Sequence, residues 1–254
     1  MKRATLLLSI PLCAALLGAV LGPRSARAGE LDVNFKAGNF GVLERFLGPN
    51  DNPRDQKPEF TVIVENGRAV HIAPAAAPGP RLTGFLEPPA ALKPLPADIT
   101  IEWHLPDVNE LKGMAPTGGI ALVGHYIRGD FDFASRRGDW QGGLFGDWWG
   151  AAFKQGNTLL AVLRNGNSNP VAVPITARTR IGFRMVKTGT SLALWLNEDE
   201  AGWREVGQAT IGINPGGKAT IAMSHFRALD TSGAAVRVSV DRMRWASPDT
   251  GWPR

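Results

Sequence analysis

The chain has 254 residues, 44% of them hydrophobic and 20% charged, and a formal net charge of +5. Its one cysteine, Cys13, lies in the N-terminal apolar run, so the rest of the chain has no disulfide framework, thiolate nucleophile or thiolate metal ligand to offer. The first 28 residues hold four basic side chains (Lys2, Arg3, Arg24, Arg27) and no acidic one, leaving 24 basic against 23 acidic residues, a balance that argues against nucleic acid and anionic lipid as partners.

Taken from the start, Lys2 and Arg3 precede an apolar run from Leu6 to Leu21, and a short polar stretch ends in Ala26-Arg27-Ala28. This is the pattern of a secretory signal with an A-x-A cleavage site. The run is about 16 residues, short of the roughly 20 that span a bilayer as a helix. Cys13 follows Pro11-Leu12 rather than a small residue, which argues against a lipoprotein signal. Residues 1–28 are therefore expected to be a signal peptide. Residues 29–254 are expected to form a single exported domain, periplasmic or extracellular, without membrane insertion. A chain of that length buries roughly 70% of its unfolded surface, so one core suffices without disulfides.

Beyond the signal, Val and Ile alternate with polar residues in short runs, a period of two that reads as strand. The expected strands are Phe60 to Glu65, Ile99 to Leu105, Gly119 to Tyr126, Thr158 to Arg164, Val171 to Ile175, Arg180 to Lys187, Ser191 to Asn197, Trp203 to Thr210, Ala219 to His225 and Val236 to Trp245. Asn165-Gly166-Asn167, Thr188-Gly189-Thr190, the segment from Asn197 to Gly202 and Asn214-Pro215-Gly216-Gly217 supply turns that give antiparallel hairpins. Residues 73–97 hold seven prolines, which donate no ladder hydrogen bond, and read as a Pro/Ala-rich loop over the sandwich. The fold class is all-β, a two-sheet antiparallel β-sandwich.

Four segments carry a resemblance. They are Leu31-Asp32-Val33-Asn34-Phe35; the run Glu65-Asn66-Gly67-Arg68-Ala69-Val70-His71-Ile72; the strand Ala97 to Trp103; and the closing hairpins from Arg180 to Trp245. In order and pattern they resemble the concanavalin A-like, laminin-G-like jelly-roll modules of exported bacterial proteins. The resemblance implies a jelly roll, a fold that hosts lectins, glycan-binding modules and glycosidases alike. One glycosidase group of that fold carries Glu-x-Asp-x-x-Glu on a single strand. Here Glu30-Leu31-Asp32 begins the pattern but Phe35 stands where the last Glu belongs, and Glu198-Asp199-Glu200 falls in a turn.

Chemistry-bearing residues concentrate between His125 and Trp149. Gly138-Asp139-Trp140 and Gly146-Asp147-Trp148 repeat one tripeptide eight residues apart. A Trp platform bordered by Asp and Arg suits the apolar C–H face and hydroxyl rim of a sugar. The ligand-binding candidates are Arg128, Trp140, Asp147, Trp148 and Trp149, and the expected partner is a glycan or polysaccharide. Burying a tryptophan instead removes about 150–250 Å² from water, about 4–6 kcal/mol. For Trp103, Trp195 and Trp245, inside alternating strands, that core placement is expected.

Asp130 and Asp132 stand two apart on an expected strand, with Cα atoms roughly 6.6 Å apart. With Asp139 they are the carboxylates available to an acid–base pair at the roughly 5–9 Å separations of glycosidases. They also read as solvated acids paired with Arg128, Arg136 or Arg137. No cofactor is expected; calcium on Asp130 and Asp132 is the one ion the pattern admits. His71, His104, His125 and His225 are scattered and read as structural rather than as zinc ligands. Serine-hydrolase, phosphate-loop and dinucleotide signatures are absent. Three functions stay open: a non-catalytic glycan-binding module, a glycan-active hydrolase or lyase, and a structural or interaction module of the envelope.

Overall fold

The computed structural model describes residues 29–46, 61–73, 81–82, 85–89, 94–113, 120–129, 148–165, 170–211, 219–228, 236–249 and 251–252. The elements are, in chain order, β1 (Gly29–Val33), β2 (Glu44–Phe46), β3 (Thr61–Glu65), β4 (Arg68–Ala73), β5 (Arg81–Leu82), β6 (Phe85–Glu87) and β7 (Asp98–Leu105). The short helix α1 (Val108–Lys112) follows, then β8 (Ile120–Gly129), β9 (Trp148–Gln155), β10 (Thr158–Asn165), β11 (Val171–Pro174) and β12 (Ile181–Thr188). The chain closes with β13 (Ser191–Glu198), β14 (Trp203–Thr210), β15 (Ala219–Ala228), β16 (Val236–Val240) and β17 (Arg242–Ser247).

Two large antiparallel sheets form the sandwich. Sheet A runs β1-β17-β7-β12-β13-β14, and sheet B runs β11-β10-β9-β8-β15-β6-β2 with β5 also paired to β15. A third sheet, β16-β4-β3, lies beside them, with β16 against β7 and α1, and β4 against β15. Period-two alternation sorts each strand of sheet A. Ile99, Ile101, Trp103 and Leu105 of β7, Ile181, Phe183 and Met185 of β12, and Leu192, Leu194 and Leu196 of β13 are buried toward sheet B. Sheet B meets them with Val123, Ile127, Ala152, Ala161, Leu163 and Met223. Trp103 stacks on Phe183 with ring centroids 5.1 Å apart and planes 12° apart, anchoring the middle of this core.

The local chemistry explains the connections. Asn66 and Gly67 both take positive φ (51° and 70°), the paired left-handed residues of a two-residue hairpin turn between β3 and β4. Asp107 caps α1 by accepting from the Asn109 amide at 2.8 Å, and Glu110 of the helix accepts from the Ser239 amide (2.6 Å) and hydroxyl (2.8 Å). The acidic turn after β13 holds the link between β11 and β12. Glu198 accepts from the amides of Thr176 and Ala177 and from Arg204, while Asp199 accepts from the amides of Arg178, Thr179 and Arg180. Those hydrogen bonds, the Thr179 hydroxyl first among them, hold the Asp199 carboxyl well below the usual carboxylate range.

Four expectations from sequence change. The run from Val236 to Trp245 is two strands: it breaks at Asp241, whose amide donates to the His104 carbonyl at 3.1 Å, so β16 joins the third sheet and β17 enters sheet A between β1 and β7. Within 73–97, the segments Arg81–Leu82 and Phe85–Glu87 are short strands paired to β15, because the prolines fall outside those two segments. Trp195 is partly exposed on the outer face of sheet A, since the inward phase of β13 belongs to Leu192, Leu194 and Leu196. Residues 148–155 form a full strand, β9, that the glycine-rich composition around it concealed.

Candidate functional site

Sheet B has a second, outward side. On β8, β9 and β10 the residues alternating with the inter-sheet core are Leu122, Tyr126, Trp149, Ala151 and Val162, and all five are buried. Cross-strand register places Tyr126 opposite Trp149 and Trp149 opposite Arg164, so a phenol, an indole and a guanidinium form one row across three strands. Trp149 also meets Phe153, two positions along the same face, at 6.4 Å between centroids. Gly124 lets the row form. A Cβ there would lie 2.2 Å from the Gly150 carbonyl oxygen and 2.6 Å from the Ala151 Cα, so only glycine allows β8 and β9 to approach this closely.

Three of the expected binding residues lie in described strands, and the register divides them between the two sides of sheet B. Arg128 stands near the end of β8 in register with Thr220, and Trp148 opens β9 opposite Ile127 and Asn165. Trp149 is only 4% exposed and forms part of the floor of this face. Asp130, Asp132, Asp139, Trp140 and Asp147 lie outside the described residues, in the segment 130–147 that joins β8 to β9. Tyr126, Phe153 and Arg164 join the candidate site from the structure. The register of β8, β9 and β10 assigns them to the side opposite Val123, Ala152 and Leu163, a placement that β9 did not signal in the sequence because its residues do not alternate in polarity.

No family model matches the chain, and no curated protein matches it in sequence. Solved structures do match its architecture. The laminarinase from Flavobacterium sp. UMI-01 superposes with a TM-score of 0.53 at 12% identity over 85% of this chain and 99% of its own. SCLam, a non-specific endo-β-1,3(4)-glucanase of family GH16, gives 0.53 at 10% identity over 86% and 90%. The Bacillus licheniformis β-glucanase gives 0.51 at 9% identity over 86% and 98%. The fold is a concanavalin A-like jelly roll.

Within the jelly roll, the inner face of β8 carries an unusual group directly beneath the row. His125, adjacent to Tyr126 in the chain and therefore on the opposite side of the sheet, is fully buried. Its ring lies 4.7 Å from Trp103 and 5.6 Å from Trp245, and neither ring nitrogen has a hydrogen-bond partner. Burial pushes its pKa down to about 3, with a further contribution from nearby His71, itself fully buried and lowered to about 3 by desolvation. Both imidazoles are neutral at neutral pH. Among the described residues no group of three or more His, Cys, Asp and Glu side chains is placed to hold a metal, and His225 lies on β15 in register with Val123, away from any such group. Asp130 and Asp132, the residues named for calcium, lie outside the described residues.

The outer side of sheet A is built differently. Glu102 accepts from Arg184 Nε at 2.7 Å and from Arg244 Nη1 at 3.1 Å, Arg244 Nε also donates to Glu30 at 2.6 Å, and Arg242 donates to both oxygens of Asp32. Arg184 lies 4.1 Å over the Trp203 ring, and His104 meets the edge of that indole. Burial alone would lower the pKa of Arg244, but the bonds to Glu30 and Glu102 outweigh it and hold the guanidinium above its ordinary value. These charges satisfy one another.

Proposed function

We propose that the chain is an exported, non-catalytic jelly-roll module that binds a glycan or cell-surface polymer on the outer face of sheet B, at the end where β8 and β9 meet the segment 130–147. The observation that supports it is the row Tyr126–Trp149–Arg164, an aromatic floor with one guanidinium that lies outside the inter-sheet core. Trp140 is the residue assigned to stack on sugar rings, with Trp149 in the floor beneath it, while Trp148, in register with Ile127, belongs to the other side of β9; Arg128, Asp147 and Arg164 are assigned to hydroxyl and ring-oxygen contacts. Export rests on the N-terminal pattern. That pattern ends in Ala26-Arg27-Ala28, and among the described residues no helix is long and apolar enough to cross a membrane.

The test is a broad glycan array read with tryptophan fluorescence, with and without calcium. A saturable hit that quenches fluorescence and weakens at least tenfold in Trp140→Ala and in Arg128→Ala supports the site; unchanged affinity in both variants removes it, and silence across the array removes the function. N-terminal sequencing of the exported protein beginning at Gly29 tests the signal. A glycan-active hydrolase or lyase is the second reading, favoured by the names of the three similar structures, all glucan-degrading enzymes. It would use Asp130, Asp132 or Asp139 as acid and base. Release of reducing ends from a polysaccharide panel, lost in Asp132→Asn, would put this reading first. A structural or interaction module of the envelope would instead give a stable oligomer and no glycan.

A further inference from the structure

We propose that the outer face of sheet A carries a second ligand site, over β13 and β14, where Trp195 and Trp203 stack on the rings of an uncharged polysaccharide and Arg184, Glu205 and Gln208 bond its hydroxyls. The site goes beyond the glycan reading of sheet B and shares no residue with it.

Strand register assembles the site. Trp195 stands opposite Arg184 of β12 and Glu205 of β14, while Asn197, two positions along β13, stands opposite Gly182 and Trp203. The two tryptophans are therefore diagonal neighbours on adjacent strands, roughly 7–8 Å apart. Both are partly exposed. Trp203 is held in place by its surroundings. Its indole reaches across β13 to β12, where a Cβ on Gly182 would lie 3.2 Å from the ring, and Arg184 lies 4.1 Å from the ring centroid.

An irregularity in β14 brings the polar groups to the same side. Leu194 pairs with Gly207 but Trp195 pairs with Glu205, so β14 has one extra residue here, the buried Val206. In an unbroken strand Glu205 and Gln208, three positions apart, would face opposite sides. With the bulge, Gln208 falls opposite Ala193 and joins Glu205 beside Trp195, and both side chains are exposed. Gly207 seats the bulge against the other sheet, since a Cβ there would lie 2.5 Å from Val171 Cγ1 of β11.

The chemistry of the site selects the ligand. The ion pairs of sheet A have nothing left to give, but they end at Arg184. Glu102 takes only the Nε of that guanidinium; among the described residues its two Nη groups and the side chains of Glu205 and Gln208 have no hydrogen-bond partner. Indoles with uncommitted donors and acceptors beside them match a sugar ring, which offers apolar C–H faces rimmed by hydroxyls. One guanidinium and one carboxylate give the site no net charge to attract a polyanion or a polycation. The exposed large aliphatic side chains among the described residues, Val42 and Val171, lie off this face, so a protein partner finds no wider apolar patch around the indoles.

The test is affinity electrophoresis of the protein through gels containing laminarin, mannan or dextran, with alginate as the polyanion. At least one uncharged polymer should retard the protein, still at about 1 M salt, where the Debye length is about 3 Å. That affinity should weaken at least about tenfold in Trp195→Ala and in Trp203→Ala. If Trp203→Ala does not fold, Trp195→Ala decides by the same criterion. Weakening in the sheet A variants supports the site, whether or not Trp140→Ala and Arg128→Ala also weaken binding. Weakening in Trp140→Ala and Arg128→Ala alone overturns it and leaves the sheet B reading standing. Retardation by alginate alone, or by none of the polymers, overturns it as well.

Discussion

The outer faces of the two large sheets show opposite ways of finishing a sandwich. On sheet A, Glu30, Asp32 and Glu102 each meet a guanidinium, and Trp203 is covered on one face by Arg184, so the charges close on themselves. On sheet B, the five consecutive strands β11, β10, β9, β8 and β15 contain no Asp or Glu at all, and their outer side carries the aromatic row with Arg164 at one end. A face whose charges are already paired offers a ligand little, because each contact must first break an existing one. The side of those five strands away from sheet A has aromatic and apolar groups where the other sheet has ion pairs.

Breaking the first face should cost the most. Glu102→Ala leaves the guanidinia of Arg184 and Arg244 side by side on a carboxylate site that is only 7% exposed, and should destabilise by about 3 kcal/mol in urea denaturation, toward the lower end for breaking a buried pair because Arg184 is partly solvated. Gly124→Ala on the second face comes next. Its Cβ meets backbone atoms of β9, which cannot rotate away, so about 2 kcal/mol is expected together with a changed tryptophan emission. The matching change on sheet A, Gly182→Ala, meets the end of the Trp203 indole at 3.2 Å, a side chain that can give, and should cost about 1 kcal/mol or less. Arg164→Ala, at a partly exposed guanidinium, should cost about 1 kcal/mol or less while weakening any glycan hit. If Arg164→Ala instead costs as much as Glu102→Ala, the two faces are alike and the contrast fails.

The sequence placed these faces unevenly. Alternation in Ile181 to Lys187 and Ser191 to Leu196 was clear enough to assign the inward side of β12 and β13, and even Lys187, an unexpected core position, keeps to it because its ammonium reaches the carbonyls of Pro96 and Ala97 at 2.9 and 2.8 Å. The same pattern was overridden by size at Trp195, where a large apolar residue suggested core although its phase put it outside. β9 was hidden for a different reason: glycine, alanine and adjacent tryptophans do not alternate in polarity when both sides of a strand are covered, as they are at Trp149 and Gly150. The partnership of Trp149 with Tyr126 and Arg164 needed the register of three strands.

What the sequence determined by itself is the all-β character, the antiparallel hairpins and their turns, because a period of two and residues such as Asn66-Gly67 act over a few positions of chain. What the tertiary structure decided is everything that joins distant segments. The break at Asp241 sends β16 and β17 to different sheets, Glu102 finds its two guanidinia 82 and 142 positions away, and His125 is closed in between Trp103 and Trp245. Local dihedral preferences cannot encode such pairings. They arise when two sheets must bury one side each, and the core they share then fixes which polar groups are left inside it and which residues remain on the faces outside.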